Sequence, residues 1–165
     1  MAIVFLSLGS NIDREHNIRT GLDDLAAAFG DLALSPVYES EAVGFDGSPF
    51  FNLVVRIDTA LAVAELVEAL HHIERAHGRV RGEKKFASRT LDIDILTYDD
   101  LCGDVDGINL PRDEILKHAF VLQPLADLAP RALHPERERP YAALLAEADF
   151  AGQRLWRVPF PWPTD

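Results

Sequence analysis

The chain has 165 residues, of which 48% are apolar, and a formal charge of −11 at pH 7. That length and apolar share suit one domain with a real core, and the acidity disfavours general binding to nucleic acid or anionic membranes. One cysteine, Cys102, excludes an intrachain disulfide and fits a reducing cytoplasm.

The opening "AIVFLSLGS" lacks a basic leader and is too short to span a bilayer, so it reads as a first strand over Ile3–Leu8. Asn11 or Asp13 can cap a helix over about 14–29, where Ile18, Leu22, Leu25 and Phe29 recur at helical spacing and Gly30 stops it. Leu32–Glu39 is extended, and Pro36 makes it an edge or bulged strand. A loop over 40–49 leads to a strand at Phe51–Ile57. Thr59 opens a second helix to about Ala76, with Val63, Leu66, Val67, Leu70 and Ile73 on one face. A basic loop, "RVRGEKKFAS", follows, then a strand, "RTLDIDIL". Beyond a turn-rich segment at 99–108, Pro111 enters a short helix near 112–118, and apolar helical residues run to about 128. The last thirty-five residues, rich in Pro and Trp, give no clear pattern.

Strand, helix, strand, strand, helix, strand is the order of an α+β, ferredoxin-like βαββαβ core. It implies a mostly antiparallel sheet with helices on one face and extra C-terminal elements. A single domain over 1–165 is expected.

The strand "RTLDIDIL" carries the main chemical signal. Leu91, Ile93 and Ile95 alternate toward a core, which turns Asp92 and Asp94 together to the other face, roughly 6–7 Å apart at Cα. Two acids there are either a solvated strand face or a divalent-cation site, since hard oxygen ligands suit Mg2+. Arg79, Arg81, Lys84, Lys85 and Arg89 fall just before them. Alone, that loop reads as solvated ion pairs; beside the acids it fits a polyphosphate clamp. Acids for metal and bases for phosphate suggest a metal–nucleotide site, here without a P-loop or a dinucleotide fingerprint. "LGSN" at Leu8–Asn11 is an ordinary helix entry that can also present N–H groups to an anion. Glu74 and His77 form a Glu-x-x-His pair, but the second copy that a dimetal bundle needs is missing from the sequence.

The run Ile73–Leu96, "IERAHGRVRGEKKFASRTLDIDIL", resembles the 6-hydroxymethyl-7,8-dihydropterin pyrophosphokinase family of folate biosynthesis. Its signature is a basic residue, any residue, Gly or Ala, a small residue, Arg, two residues, Asp, aliphatic, Asp and two aliphatics. Lys85–Leu96 matches it completely. "LGSN", "VYESEAVG" (37–44), "FFNLVV" (50–55) and "LPRDEILKHAFVLQPL" (110–125) follow the family's order.

The resemblance implies transfer of pyrophosphate from ATP to the pterin hydroxymethyl group, with release of AMP. It implies that Asp92 and Asp94 bind two Mg2+ ions. Arg79, Arg81 and Arg89 would hold phosphates, with Glu74, Phe86, Ile95, Arg112 and His118 at the nucleotide. Asn52 would bond the pterin edge, and Ser40, Glu41 and Val43 would contact it mainly through backbone. Phe120 would stack on one ring face, with Phe50 or Phe51 near the other. Phe50 stands where Tyr is usual, Phe86 where Trp is, Glu41 where Pro is, Arg112 where His is and His118 where Arg is. The substitutions at 112 and 118 leave a rival reading, a divergent or inactive paralogue that binds nucleotide or pterin. A monomer in the cytoplasm is expected, with ATP and the pterin as its ligands.

Overall fold

A computed structural model describes residues 1–41, 47–78 and 90–163. Strand β1 (Ala2–Ser10) runs through the sheet, with β4 (Phe50–Thr59) on one side and β5 (Asp92–Tyr98) on the other. Beyond β4 come β3 (Val37–Ser40) and then β8 (Leu155–Val158), while β2 (Ala33–Leu34) pairs with another stretch of β4. Every one of these pairings is antiparallel. Pro36 divides the extended segment into β2 and β3. At that break the Ser35 hydroxyl accepts the Val54 N–H at 2.9 Å, replacing a ladder bond.

Helices α1 (Arg14–Phe29) and α2 (Val63–Ala76) cover one face. Val4, Leu6 and Leu8 of β1 meet Ile18, Leu22 and Leu25 of α1 there, all fully buried. Burying such a side chain stabilises by about 2 kcal/mol before the entropy cost. Gly21 sits where α1 comes closest to the chain leading into β5: a Cβ would lie 2.9 Å from Leu91 Cδ2. α1 begins without the expected side-chain cap, because Asp13 makes no such bond and Asn11 Nδ2 donates to the Ser48 carbonyl at 2.9 Å. Thr59 ends β4 instead of opening α2, and its hydroxyl accepts the Leu61 N–H at 3.1 Å. The cap of α2 comes from Glu65, which accepts the Ala62 N–H at 3.0 Å.

The C-terminal elements cover the opposite face. After the hairpin β6 (Gly103–Val105) and β7 (Ile108–Leu110) come α3 (Glu114–Lys117), α4 (Ala119–Leu128) and α5 (Tyr141–Glu147). Ile115, Val121, Leu122, Leu125 and Tyr141 pack there on Phe5, Val54 and Leu96. A bulge lets β5 serve both cores. Phe5 pairs with Thr97 and Leu6 with Ile95, so Leu96 is the extra residue and joins the second core while Ile95 stays in the first.

Candidate active site

Ile93 and Ile95 point into the first core, so alternation directs Asp92 and Asp94 to the second face. Across the sheet Asp94 pairs with Ser7 and Asp92 with Gly9; Gly9 pairs with Asn52, and Asn52 with Tyr38. Asp92 and Asn52 therefore stand two strands apart, roughly 10 Å. One flat row carries an acidic end and an amide end.

The acidic end is crowded with charge. Partial burial pushes the Asp94 carboxyl above the usual carboxylate range, and Asp92, Glu114 and Glu74 push it the same way, while Arg112 opposes them. Arg112 Nη2 lies 3.1 Å from Asp94 Oδ1, and its Nε lies 3.7 Å from Glu114 Oε2. The Arg112 N–H donates to the Leu96 carbonyl at 2.9 Å, which fixes the arginine beside β5. Glu74 is buried and accepts the Ile93 N–H at 2.8 Å. Ile95, Asp94, Arg112 and His71 share a small recess of about 40 Å³. Two like charges held together on one strand are what a divalent cation relieves. Among the described residues no group of three or more His, Cys, Asp or Glu gathers to hold a metal. A two-carboxylate donor set suits Mg2+, which keeps water and phosphate oxygens as its other ligands.

At the amide end, Asn52 Nδ2 donates to Ser40 Oγ at 2.6 Å, and both residues are buried. Gly9 keeps the row open: a Cβ there would lie 3.3 Å from Asn52 Oδ1 and 3.7 Å from Phe50 Cδ1. Phe50 thus shares the face of Asn52. Phe51 faces the other way, edge-on to Phe160 at 6.1 Å, with the Arg14 guanidinium 3.8 Å above its ring. Phe120 stacks on His118, with ring centroids 4.7 Å apart and planes 17° apart. A cleft of about 210 Å³ is lined by Ser40, Glu41, Phe120 and the segment 152–155.

"LGSN" serves to tie loops down: Ser10 Oγ lies 2.5 Å from the Thr90 carbonyl oxygen, and Asn11 reaches Ser48. His77 is held between the two core helices, 3.0 Å from Asn17 Oδ1 and 3.0 Å from Asp24 Oδ2. Val43, Arg79, Arg81, Phe86 and Arg89 lie outside the described residues. Sequence reasoning missed Gly9, Glu114 and the 152–155 wall. The spacing of Glu114 from Arg112 could have flagged the second, whereas nothing local marks the wall.

The sequence model of the 7,8-dihydro-6-hydroxymethylpterin-pyrophosphokinase (HPPK) family matches residues 5–130. The chain belongs to this family. Its HPPK relatives include the 2-amino-4-hydroxy-6-hydroxymethyldihydropteridine pyrophosphokinase of Pseudomonas aeruginosa, 39% identical over 157 residues that cover 90% of this chain and 93% of that protein. The protein of the same name from Bacillus subtilis is 35% identical over 159 residues, covering 94% and 90%. A crystal structure of Plasmodium falciparum HPPK-DHPS with STZ-DHP superposes with a TM-score of 0.68 at 14% identity. It covers 88% of this chain and 41% of that one, a likeness of fold to part of a longer chain.

Proposed function

We infer that this chain transfers pyrophosphate from ATP to 6-hydroxymethyl-7,8-dihydropterin, releasing AMP, in folate biosynthesis. HPPK membership across residues 5–130 supports the reaction. The shared face of Asp92, Asp94, Asn52 and Ser40 supports the assignment of roles, and it is the observation that carries this reading.

Asp92 and Asp94 are assigned as ligands to two Mg2+ ions. When bound, Mg2+ supplies Lewis-acid polarisation of phosphate oxygens and a lowered pKa for a coordinated hydroxyl. Asn52, braced by Ser40, holds the pterin edge. Phe120, on which His118 stacks, and Phe50 hold its ring faces, while His118 and Arg112 are assigned to the nucleotide. Glu41 and Val43 add backbone contacts. Arg112 supplies positive charge beside the acids, and Glu74 and Ile95 shape that end of the site. The family resemblance of the run Ile73–Leu96 alone supports Arg79, Arg81 and Arg89 at the phosphates and Phe86 at the nucleotide. Placement over roughly 10 Å of sheet would align the acceptor hydroxyl with the β-phosphorus, and the arginines assigned to the phosphates would meet the charge that develops on their oxygens.

The proposal includes a monomer acting in the cytoplasm. No described helix is long and apolar enough to cross a membrane. Incubation with ATP, Mg2+ and the hydroxymethyl pterin, followed by separation of the nucleotides, tests the function. AMP release that requires the pterin is expected. ADP as product, or binding of either ligand without turnover, would refute it.

A further inference from the structure

Gln153 straddles the junction between α3 and α4. Its Oε1 accepts the Ala119 N–H at 2.8 Å, and its Nε2 donates to the Lys117 carbonyl at 2.9 Å. Between those two residues stands His118, whose backbone is extended (φ −123°, ψ 124°) and whose ring stacks on Phe120. One side chain therefore pins the backbone on both sides of the stacked pair.

The same segment forms the outer wall of the 210 Å³ cleft. Leu155 pairs with Ser40 in the β3–β8 ladder, and Arg154 Nη1 lies 3.7 Å from Glu41 Oε1 across the mouth. Residues 152–155 lie beyond the stretch that the family model matches.

We propose that Gln153 is a positioning residue for the pterin. It sets the Phe120 ring through Lys117 and Ala119, while Gly152–Leu155 close the cleft beside Ser40. This inference rests on the reading above that Ser40 and Phe120 meet the pterin. The bonds of Gln153 fall on the chain that carries Phe120 and not on Asp92, Asp94 or Arg112, so its effect falls mainly on pterin binding; His118, which the family resemblance puts at the nucleotide, is pinned by the same bonds, so a smaller rise in the ATP KM accompanies it.

The test compares Gln153→Met, of similar size with neither hydrogen bond, and Gln153→Glu, which keeps an acceptor for the Ala119 N–H and loses the donor. KM for pterin and for ATP are measured separately, together with kcat and Tm. Loss of both bonds is expected to raise the pterin KM about tenfold, with the Glu variant intermediate and the ATP KM within about twofold of wild type. An unchanged pterin KM in both variants overturns the inference, as does a parallel shift of both KM values and kcat. If the Met variant does not fold, Gln153→Glu alone gives the reading, since it loses the bond to the Lys117 carbonyl and keeps an acceptor for the Ala119 N–H. A pterin KM raised about threefold supports the inference, and an unchanged one overturns it. Wild type without pterin-dependent AMP release overturns the parent reading and this one with it; an active wild type with unaffected variants overturns this one alone.

Discussion

The Arg112 guanidinium lies 3.1 Å from Asp94 and 3.7 Å from Glu114, so one cation serves two carboxylates from different elements. Both Arg112 and Asp94 keep about a third of their side chains accessible, 30% and 31%, which screens the pair. Removing the cation leaves a crowded carboxylate uncompensated. Arg112→Gln is expected to cost about 1–2 kcal/mol of stability without divalent ion. It is also expected to enlarge the Tm gain on adding Mg2+, because the acids then lack their internal counter-charge. Thermal unfolding with and without Mg2+ checks this, and equal gains in the two proteins would contradict it.

Asp94→Asn is expected to separate activity from stability. Turnover is expected to fall by at least about a hundredfold, because the carboxylate proposed to hold Mg2+ is lost. Tm near neutral pH stays level or rises. The sign follows from the raised carboxyl: above its ordinary value of 3.8 the folded protein holds a proton that the unfolded chain has released, so stability falls as pH rises through the window up to the folded value. The amide removes that loss. A lowered Tm with retained turnover would reverse both assignments.

Phe50 and Phe51 are neighbours with opposite duties. Phe50→Ala is expected to raise the pterin KM about tenfold, the worth of one aromatic stack. Phe51→Ala is expected to cost about 1–3 kcal/mol of stability with little change in that KM, since its ring packs on Phe160 and under Arg14. Kinetics and denaturant unfolding of the two variants, side by side, decide it.

His134 is expected to set a pH dependence of stability away from the site. It is buried, and its Nδ1 accepts the N–H groups of Glu136 at 3.2 Å and Arg137 at 3.0 Å. Burial pulls its pKa below the ordinary 6.5. Just below 6.5 the unfolded chain takes up a proton that the folded one refuses, so stability is full above 6.5 and declines as pH falls toward the folded value. His134→Asn, which keeps an acceptor near the same place, is expected to flatten that decline. Tm measured across this range in both proteins checks it, and identical slopes would rule His134 out.

Much of this architecture was legible because it repeats at short range. Alternation from Leu91 to Ile95 placed both aspartates on one face, and the spacing of Ile18, Leu22 and Leu25 located α1. Features set by distant partners were not legible. Helix α2 starts four residues after Thr59 because Glu65 supplies its cap, a role that no Ser or Thr marks. Which of Phe50 and Phe51 faces the site depends on the register of β4 against β1 and β3. β8 is four residues long and pairs with β3, so Tyr38 and Arg157 meet across 119 residues. Nothing within the tail names that partner.

Ser40 pairs with Leu155, so β8 covers a margin of β3 that would otherwise offer bare N–H and C=O groups to another chain. The strand that shields this margin from intermolecular pairing also supplies Leu155 to the cleft wall, so a variant that loosens β8 is expected to self-associate as well as to open the cleft.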